Sequence, residues 1–405
     1  FGTDQDAKTF SGELRLNGEV GNLNWTAGYY YLNIDGDYFG TFQFPAVTGA
    51  SGPGVFDGYG YGIDLDYSLE TNAHALFSQI EYSFTDSLKL ILGGRWTSDS
   101  KDFSILGTCV DDPNPAAAPN TTCADYINFP GSGALIDIGR VDLELNDDFF
   151  TWKAQLEYTP TDNLLLYAGY NRGVKAGSFT APLDGFLTVP ELSFKPEKLD
   201  AYEIGLKSDF FGNRLRFNAS GFYYDYSDYQ GFVFNGLASV VKNFGAEIYG
   251  GEAEIIAAPA EGWEIRGGVS LMDATVMDVE VAPSVFADQN IILAPDVTAN
   301  WLVRKEVPIG EGFLALQYDG FYTSEQSFNT INGPLVTADG YAIMNARVSY
   351  NFQVGGAEAE AAFFVKNLTD EGNLTYAFDL SAYFGNTIQV YGPPRIFGGS
   401  VSVKF

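Results

Sequence analysis

The feature that most constrains this chain is one unit repeated from end to end: two runs of alternating apolar and polar residues joined by a tight turn. In residues 13–20, Leu14, Leu16, Gly18 and Val20 fall on one face, and Glu13, Arg15, Asn17 and Glu19 on the other. Gly21-Asn22 turns the chain, and Leu23, Trp25, Ala27, Tyr29 and Tyr31 resume the alternation. A period of two with a turn of this kind is a β-hairpin with one apolar and one polar face. The unit recurs around Phe77–Phe84, Trp152–Tyr158, Leu215–Ser220, Trp263–Leu271 and Ala342–Tyr350. The count comes to roughly fifteen strands of about ten residues, the length that crosses a bilayer at a tilt.

The connections alternate too. Short turns are expected after Val20, Phe84, Pro160, Phe211, Pro259, Pro308 and Phe352, and long polar loops after Ile34, Lys101, Lys175, Tyr226, Ala274, Ser324 and Thr369. Short turns on one side and long loops on the other describe an all-β, transmembrane antiparallel β-barrel of the bacterial outer-membrane kind. A soluble sandwich or propeller has no reason to keep that asymmetry. Strand-end aromatics, among them Tyr29, Tyr30, Tyr31, Trp96, Tyr158, Tyr223 and Tyr224, are expected where the apolar band meets water. No run reaches the ~18 apolar residues of a membrane-spanning helix. Yet 46% of residues are hydrophobic and only 18% charged, as apolar residues spread at period two would give. Phe1-Gly2-Thr3 has neither a basic nor an apolar leader, so an export signal is expected outside this chain.

The net charge of −30 argues against nucleic acid, since there is no basic stripe to release counterions from phosphates. Acidic residues such as Asp35, Asp37, Asp64, Asp66, Asp147 and Asp148 read as a solvated loop surface. No metal site is expected: nothing matches a calcium-binding EF-hand loop. Cys109 and Cys123 share one Pro/Asn/Ala-rich stretch, and in an exported protein such a pair reads as a disulfide worth at most ~3 kcal/mol, two reduced thiols being the alternative. The single histidine, His74, shares a face with Leu76 and Ile80 and is expected to point toward lipid near the outer rim. No nucleophile–base pair marks an enzyme, and no cofactor is implied.

Several segments resemble the TonB-dependent transporter family, in the style common among sphingomonad-like bacteria. Residues 11–16 with 25–31 resemble its mid-barrel hairpin. Residues 170–179 resemble its "S-x-G-x-K-x-G-G-F" stretch, with Ser178 where a second Gly is usual. Residues 195–207 resemble "P-E-x-x-x-x-Y-E-x-G-x-K", residues 365–370 resemble "V-x-N-L-x-D", and residues 392–395 resemble "G-x-P-R". The terminal Phe405 matches the aromatic end read by the barrel-assembly machinery.

The resemblance implies a barrel of about 22 strands with a plugged lumen. Residues 1–405 would be the C-terminal part of that barrel, with no plug domain within them. The first and last strands both run toward the periplasm, so the sequence reads as truncated on its N-terminal side.

The implied function is TonB-energised uptake of a scarce nutrient, most often a ferric siderophore, driven by TonB–ExbB–ExbD through the plug. A passive porin-like channel and uptake of carbohydrate or another non-iron ligand are the alternatives. Lipid and lipopolysaccharide would surround the wall. A small-molecule ligand would meet the loop candidates Tyr38, Phe39, Tyr59, Tyr61, Arg172, Lys175, Phe179, Phe328, Tyr376, Phe378, Tyr383 and Phe384. By alternation, Glu13, Arg15, Glu81, Arg95, Lys153, Glu157, Glu203, Lys207, Arg216, Glu254, Arg266 and Arg347 would face the lumen and dock the plug. Acidic loops would mildly disfavour a strongly anionic cargo, because like charge lowers its local concentration.

Overall fold

The computed structural model describes residues 2–44, 61–111, 139–181, 187–235, 238–381 and 385–404, without the side chains of 42–44, 61–62, 109–111, 234–235 and 238–239. In chain order the strands are β1 (Gly2–Val20), β2 (Leu23–Phe44), β3 (Tyr61–Thr85), β4 (Leu88–Asp111), β5 (Val141–Thr161), β6 (Leu164–Lys175), β7 (Ser178–Phe179), β8 (Ser193–Phe194), β9 (Glu197–Phe210), β10 (Leu215–Asn235) and β11 (Ala238–Ala257). They continue as β12 (Trp263–Ala282), β13 (Val285–Asn290), β14 (Val297–Ile309), β15 (Gly312–Thr323), β16 (Gln326–Ser327), β17 (Thr337–Ala338), β18 (Tyr341–Val354), β19 (Ala357–Lys366), β20 (Leu374–Leu380), β21 (Asn386–Tyr391) and β22 (Ile396–Lys404). Fifteen of them form one antiparallel path, β1-β2-β3-β4-β5-β6-β9-β10-β11-β12-β14-β15-β18-β19-β22, with β13 attached to β12.

Each step along the path is antiparallel and follows chain order, with only short strands of the connections left off it, as the repeated hairpins require. Gly21, at φ 60°, takes the left-handed conformation that the tight turn between β1 and β2 needs. From there Val20 pairs with Leu23 and Leu14 with Tyr29, so the apolar residues of both strands share a face. That face continues through Leu76, Ile80, Leu92, Trp96, Phe150 and Leu156, all solvent-accessible in the isolated chain. An apolar surface on this scale needs a non-aqueous neighbour. Tyr29 Oη lies 2.7 Å from His74 Nδ1 on that same face, where the alternation places His74.

The strands run longer than the alternation suggests. Ile34 and Lys101 do not begin loops: β2 continues to Phe44 and β4 to Asp111. In these extensions the polarity of the faces is swapped. Asp35, Asp37, Asp66, Glu70, Asp102, Asp142, Glu144 and Asp148 occupy the outer positions, continuing the face of Leu76 and Trp96. The inner positions hold Ile63, Leu65, Phe103 and Ile105, each 0–3% exposed. Several carboxylates expected in loops therefore sit on strands, on their outer face.

What buries the inner apolar residues is the connection between the short strands β6 and β9. Leu187 and Leu192 from that segment pack with Ile63, Leu65, Phe103, Ile105 and Val240 as one core, with Phe179 and Val189 against it. Phe179 stacks on Phe103 at 4.8 Å between ring centroids. A turn of 3-10 helix, Val189–Glu191, is closed by a capping box: the Thr188 N–H donates to Glu191 Oε2 at 2.9 Å and the Thr188 hydroxyl at 2.7 Å. Those bonds, the backbone one first, hold the Glu191 carboxyl below its ordinary pKa. The segment is tied at its base as well, where Gln230 Nε2 donates to the Ala176 and Lys195 carbonyls and Asn243 Nδ2 to the Lys195 carbonyl. A second core, Val336, Ala338, Leu374 and Ala377, joins the β15–β18 connection to the β20–β21 hairpin.

Candidate functional site

The register places all twelve residues expected to share the polar face on one side of the sheet, the side against which the cap packs. Glu13 and Arg15 alternate on β1, Glu81 on β3 pairs with Ile91, Lys153 on β5 with Gly93, and Glu203 on β9 with Gly169. Most charges on this inner face are neutralised locally. Arg15 lies 2.6 Å from Glu13, Lys89 3.4 Å from Glu157, Arg216 2.9 Å from Asp209, Arg266 2.5 Å from Glu264 and Arg304 2.8 Å from Glu306. Arg347 pairs with Glu360, and the buried Lys101 with Asp99. Exposed pairs of this kind add little stability. Their effect is a mixed-sign, hydrogen-bonding wall.

Two sectors depart from that balance. On β9–β11, Glu203, Glu252 and Glu254 line a recess of about 640 Å³ with Lys207, Asn218 and Ser220. Their partners are mostly neutral: the Tyr167 hydroxyl donates to Glu203 at 2.5 Å, Ser220 to Glu252 at 3.2 Å and Asn218 to Glu254 at 3.1 Å. On β2–β5, Arg95 and Lys153 have no carboxylate within ion-pair distance among the described residues. The Arg95 guanidinium lies over the rings of Tyr30 and Phe77, at 5.5 and 5.9 Å.

Among the described residues, those expected to meet a ligand do not converge on one pocket. Phe179 is built into the cap core. Tyr38 is stacked on Tyr67 at 4.9 Å, and Tyr67 packs against the same core. Phe39 is on the outer face of β2, exposed and opposite Asp66. Arg172 sits in strand β6, opposite the outward Trp152, with its guanidinium 5.0 Å from that ring and 3.1 Å from Asp200. Parity alone assigns it outward. Lys175 closes β6 beside Glu197. Phe328 packs on the second core, with Tyr376 edge-on at 6.4 Å and Phe378 in the same β20–β21 hairpin. Tyr61 lies at the start of β3, its side chain outside the described residues, as is that of Cys109; Tyr59, Cys123, Tyr383, Phe384 and Phe405 are wholly outside them.

Sequence reading missed Tyr30, Phe77, Tyr167 and Glu252. The signal was present in the alternation: Tyr30 has the parity of Thr26 rather than of Tyr29, so it faces inward, and Tyr224 likewise lies inward beside Phe222. Both had been grouped with the outer aromatic belt by residue type, which carries no parity.

Two motifs have clear structural work. Asn367, at φ 52°, donates from Nδ2 to the Glu371 and Pro393 carbonyls and accepts the Glu371 N–H. The Arg395 N–H donates to Asp370 at 2.8 Å. The "V-x-N-L-x-D" and "G-x-P-R" segments thus form one joint between β19 and β22.

Comparison with known proteins agrees with this architecture. The family model described as "TonB dependent receptor-like, beta-barrel" matches residues 1–368. The ferric yersiniabactin uptake receptor FyuA from Yersinia pestis superposes with a TM-score of 0.73 at 16% identity, over 100% of this chain and 55% of that one. The siderophore receptor PiuA from Acinetobacter baumannii gives 0.65 at 16%, over 99% and 56%. The copper transporter OprC gives 0.63 at 16%, over 98% and 56%. The chain thus spans about half the length of these structures, and likeness at such identity is likeness of fold. With a matched model over most of its length, an outward apolar face and an inward ion-paired one, this chain belongs to the TonB-dependent receptor β-barrel family.

Proposed function

We propose that the chain is the C-terminal part of the barrel of an outer-membrane receptor for TonB-energised uptake, with a ferric siderophore as its ligand. The observation that carries this reading is the two-faced wall within a matched receptor family: lipid-compatible outside, mixed-charge and hydrogen-bonding inside. Such an interior suits docking of a folded plug better than an open channel for one ion type. Cationic groups of that plug would seat against Glu203, Glu252 and Glu254, whose carboxylates accept mainly from neutral donors. The remaining inward charges, from Glu13 to Arg347, would orient it.

TonB with ExbB and ExbD would act on the plug, the barrel-assembly machinery would read Phe405, and lipopolysaccharide would contact the outer face. The family and the three neighbours above are named as receptors and a transporter, and the wall is read here as a scaffold for binding and passage rather than for covalent chemistry. The siderophore assignment leans on one of those neighbours being named a siderophore receptor and another a ferric yersiniabactin uptake receptor.

The test is radiolabelled ferric-chelate uptake in iron-starved cells with and without the gene, in backgrounds with and without TonB. Uptake that needs both supports the reading. Uptake that needs the gene but persists without TonB would leave a passive channel.

A further inference from the structure

The outward, apolar side of the wall is unevenly filled. Around β2–β4 it carries Leu76, Ile80, Leu92 and Trp96, and around β12–β15 Val269, Leu271 and Leu316, all large and exposed. Between these sectors, on β5–β10, the outward positions include Ala154, Ala168, Ala219 and Gly221. A groove of about 620 Å³ opens there and continues into a second of about 470 Å³, the two sharing Leu156, Ala168, Ile204 and Gly221. Leu156 and Ile204, 44% and 66% exposed, stand up as its sides.

We propose that this groove holds one acyl chain of an outer-leaflet glycolipid, whose sugar rests on the row of tyrosines at its upper end. This rests on the wall lying in the outer membrane and is independent of the cargo.

The groove is continuous with the apolar face that meets lipid, which sets the chemistry of its occupant. Its length fits as well. From the Tyr202 level to the Leu206 level, β9 rises about 14 Å along the strand, or about 10 Å of depth at the usual tilt, within the ~15 Å of one leaflet. Gly221 is a second sign. It has no positive φ, and a Cβ there would meet only ordinary contacts, 3.8 Å from the Gly250 carbonyl oxygen and 3.9 Å from Ile204 Cγ2. Neither backbone nor crowding requires glycine at this strand position, whereas the open space outside it does. At the upper end Trp152, Tyr170, Tyr202 and Tyr223 touch in series, with centroids 6.3, 4.9 and 6.3 Å apart. Rings at that level offer flat faces to the C–H side of a sugar. One step above them, Asp200, Asp225 and Glu247 are neighbours across β9–β11. The Tyr170 hydroxyl donates to Asp200 at 2.5 Å, and Arg172 lies 3.1 Å from the same carboxylate. Asp225 and Glu247 form no ion pair among the described residues, which leaves them to accept from sugar hydroxyls. The same carboxylates repel a phosphate, and the Arg172 charge is already matched by Asp200.

The experiment uses the native receptor purified from outer membranes in a detergent without sugar, stripped of lipid and studied by native mass spectrometry. The probes are a glucosyl diacylglycerol and a phosphatidylglycerol with the same saturated chains. The wild type is expected to bind the glycolipid about tenfold more tightly than the phospholipid. Ala168→Leu, which fills the groove, is expected to weaken both lipids by about tenfold, and Gly221→Leu repeats the test at a second position. Ala299→Leu, outward on β14 and away from the groove, should change neither. Tyr202→Ala should bring the glycolipid down to the level of the phospholipid. Heat-modifiable migration in gels checks that each variant is folded.

Binding that ignores both groove-filling variants would mean that lipid merely solvates the wall, and the inference falls. Equal weakening by Ala168→Leu and Ala299→Leu would assign the effect to the barrel as a whole, with the same result. Tighter binding of the phospholipid would make Arg172 a phosphate site and overturn the glycolipid assignment. None of these outcomes bears on uptake, which stands or falls by the chelate experiment alone.

Discussion

The lower and upper halves of β2–β5 are the same strands in the same register, yet their faces carry opposite chemistry. Below the level of Trp96 the outward positions are Leu76, Ile80, Leu92 and Leu156, and the inward ones Gln79, Glu81, Arg95 and Lys153. Above it the outward positions are Asp66, Glu70, Asp102 and Glu144, and the inward ones Leu65, Phe103, Ile105 and Leu143. Nothing in the backbone distinguishes the halves. The partner of each face does: lipid and a polar interior below, water and a packed cap above. Alternation therefore reports which residues share a face, and only the surroundings decide which face must be apolar.

That contrast can be broken at its most buried point first. Leu192 is 0% exposed and belongs to the cap core, so Leu192→Ala should cost about 2–5 kcal/mol of local stability. Hydrogen exchange should speed up between residues 176 and 196 while the lower wall keeps its protection. Equal loss of protection in the lower wall would mean that the halves are not independent.

The next test places one charge in each half. Ile80→Arg, outward in the lower, apolar stretch of β3, should cost about 2–4 kcal/mol of barrel stability in lipid. Ser100→Arg, outward on the upper part of β4, should stay within about 0.5 kcal/mol. Denaturant titration in vesicles compares them, and similar costs would contradict the assignment of lipid to the lower half alone.

The smallest effect expected is a pH dependence confined to the upper half. Glu191 has its carboxyl pKa lowered by the Thr188 backbone N–H and then its hydroxyl. A lowered carboxylate contributes stability above its unfolded pKa and loses it as pH falls through the folded value, so the cap should loosen only below the ordinary carboxylate range. Limited proteolysis of the cap across that range should show it, and Glu191→Gln should flatten the profile. A profile unchanged in Glu191→Gln would assign the effect to another group.

Much of this was legible in the residues. Hairpins such as residues 13–31 gave the strands, their order and their antiparallel sense, because period two and a Gly-Asn turn admit few other structures. The shared face of Glu13, Glu81, Glu203 and Arg347 followed from parity alone. The upper strand ends were not legible: at Asp35 and Asp102 the polar residues arrive on the apolar parity, which reads as the end of a strand. Arg172 was misplaced for a related reason. A basic residue beside a Gly-rich segment looked like a loop, whereas its pairing with Trp152 and Asp200 sets it in the wall. That Arg95 forms no ion pair among the described residues could not have been foreseen, since the absence of a nearby carboxylate is a property of several strands taken together.

The swap of polarity has a consequence for assembly. In a strand with one apolar face throughout, a slip of one residue makes a single kind of error, and a hairpin outside the membrane would feel none of it. In β3 and β4 the same slip would turn Gln79 and Arg95 toward lipid below and Glu70 and Asp102 into the cap core above. Each hairpin is thus proofread twice, in two solvents, and a mistake tolerated by one would be rejected by the other.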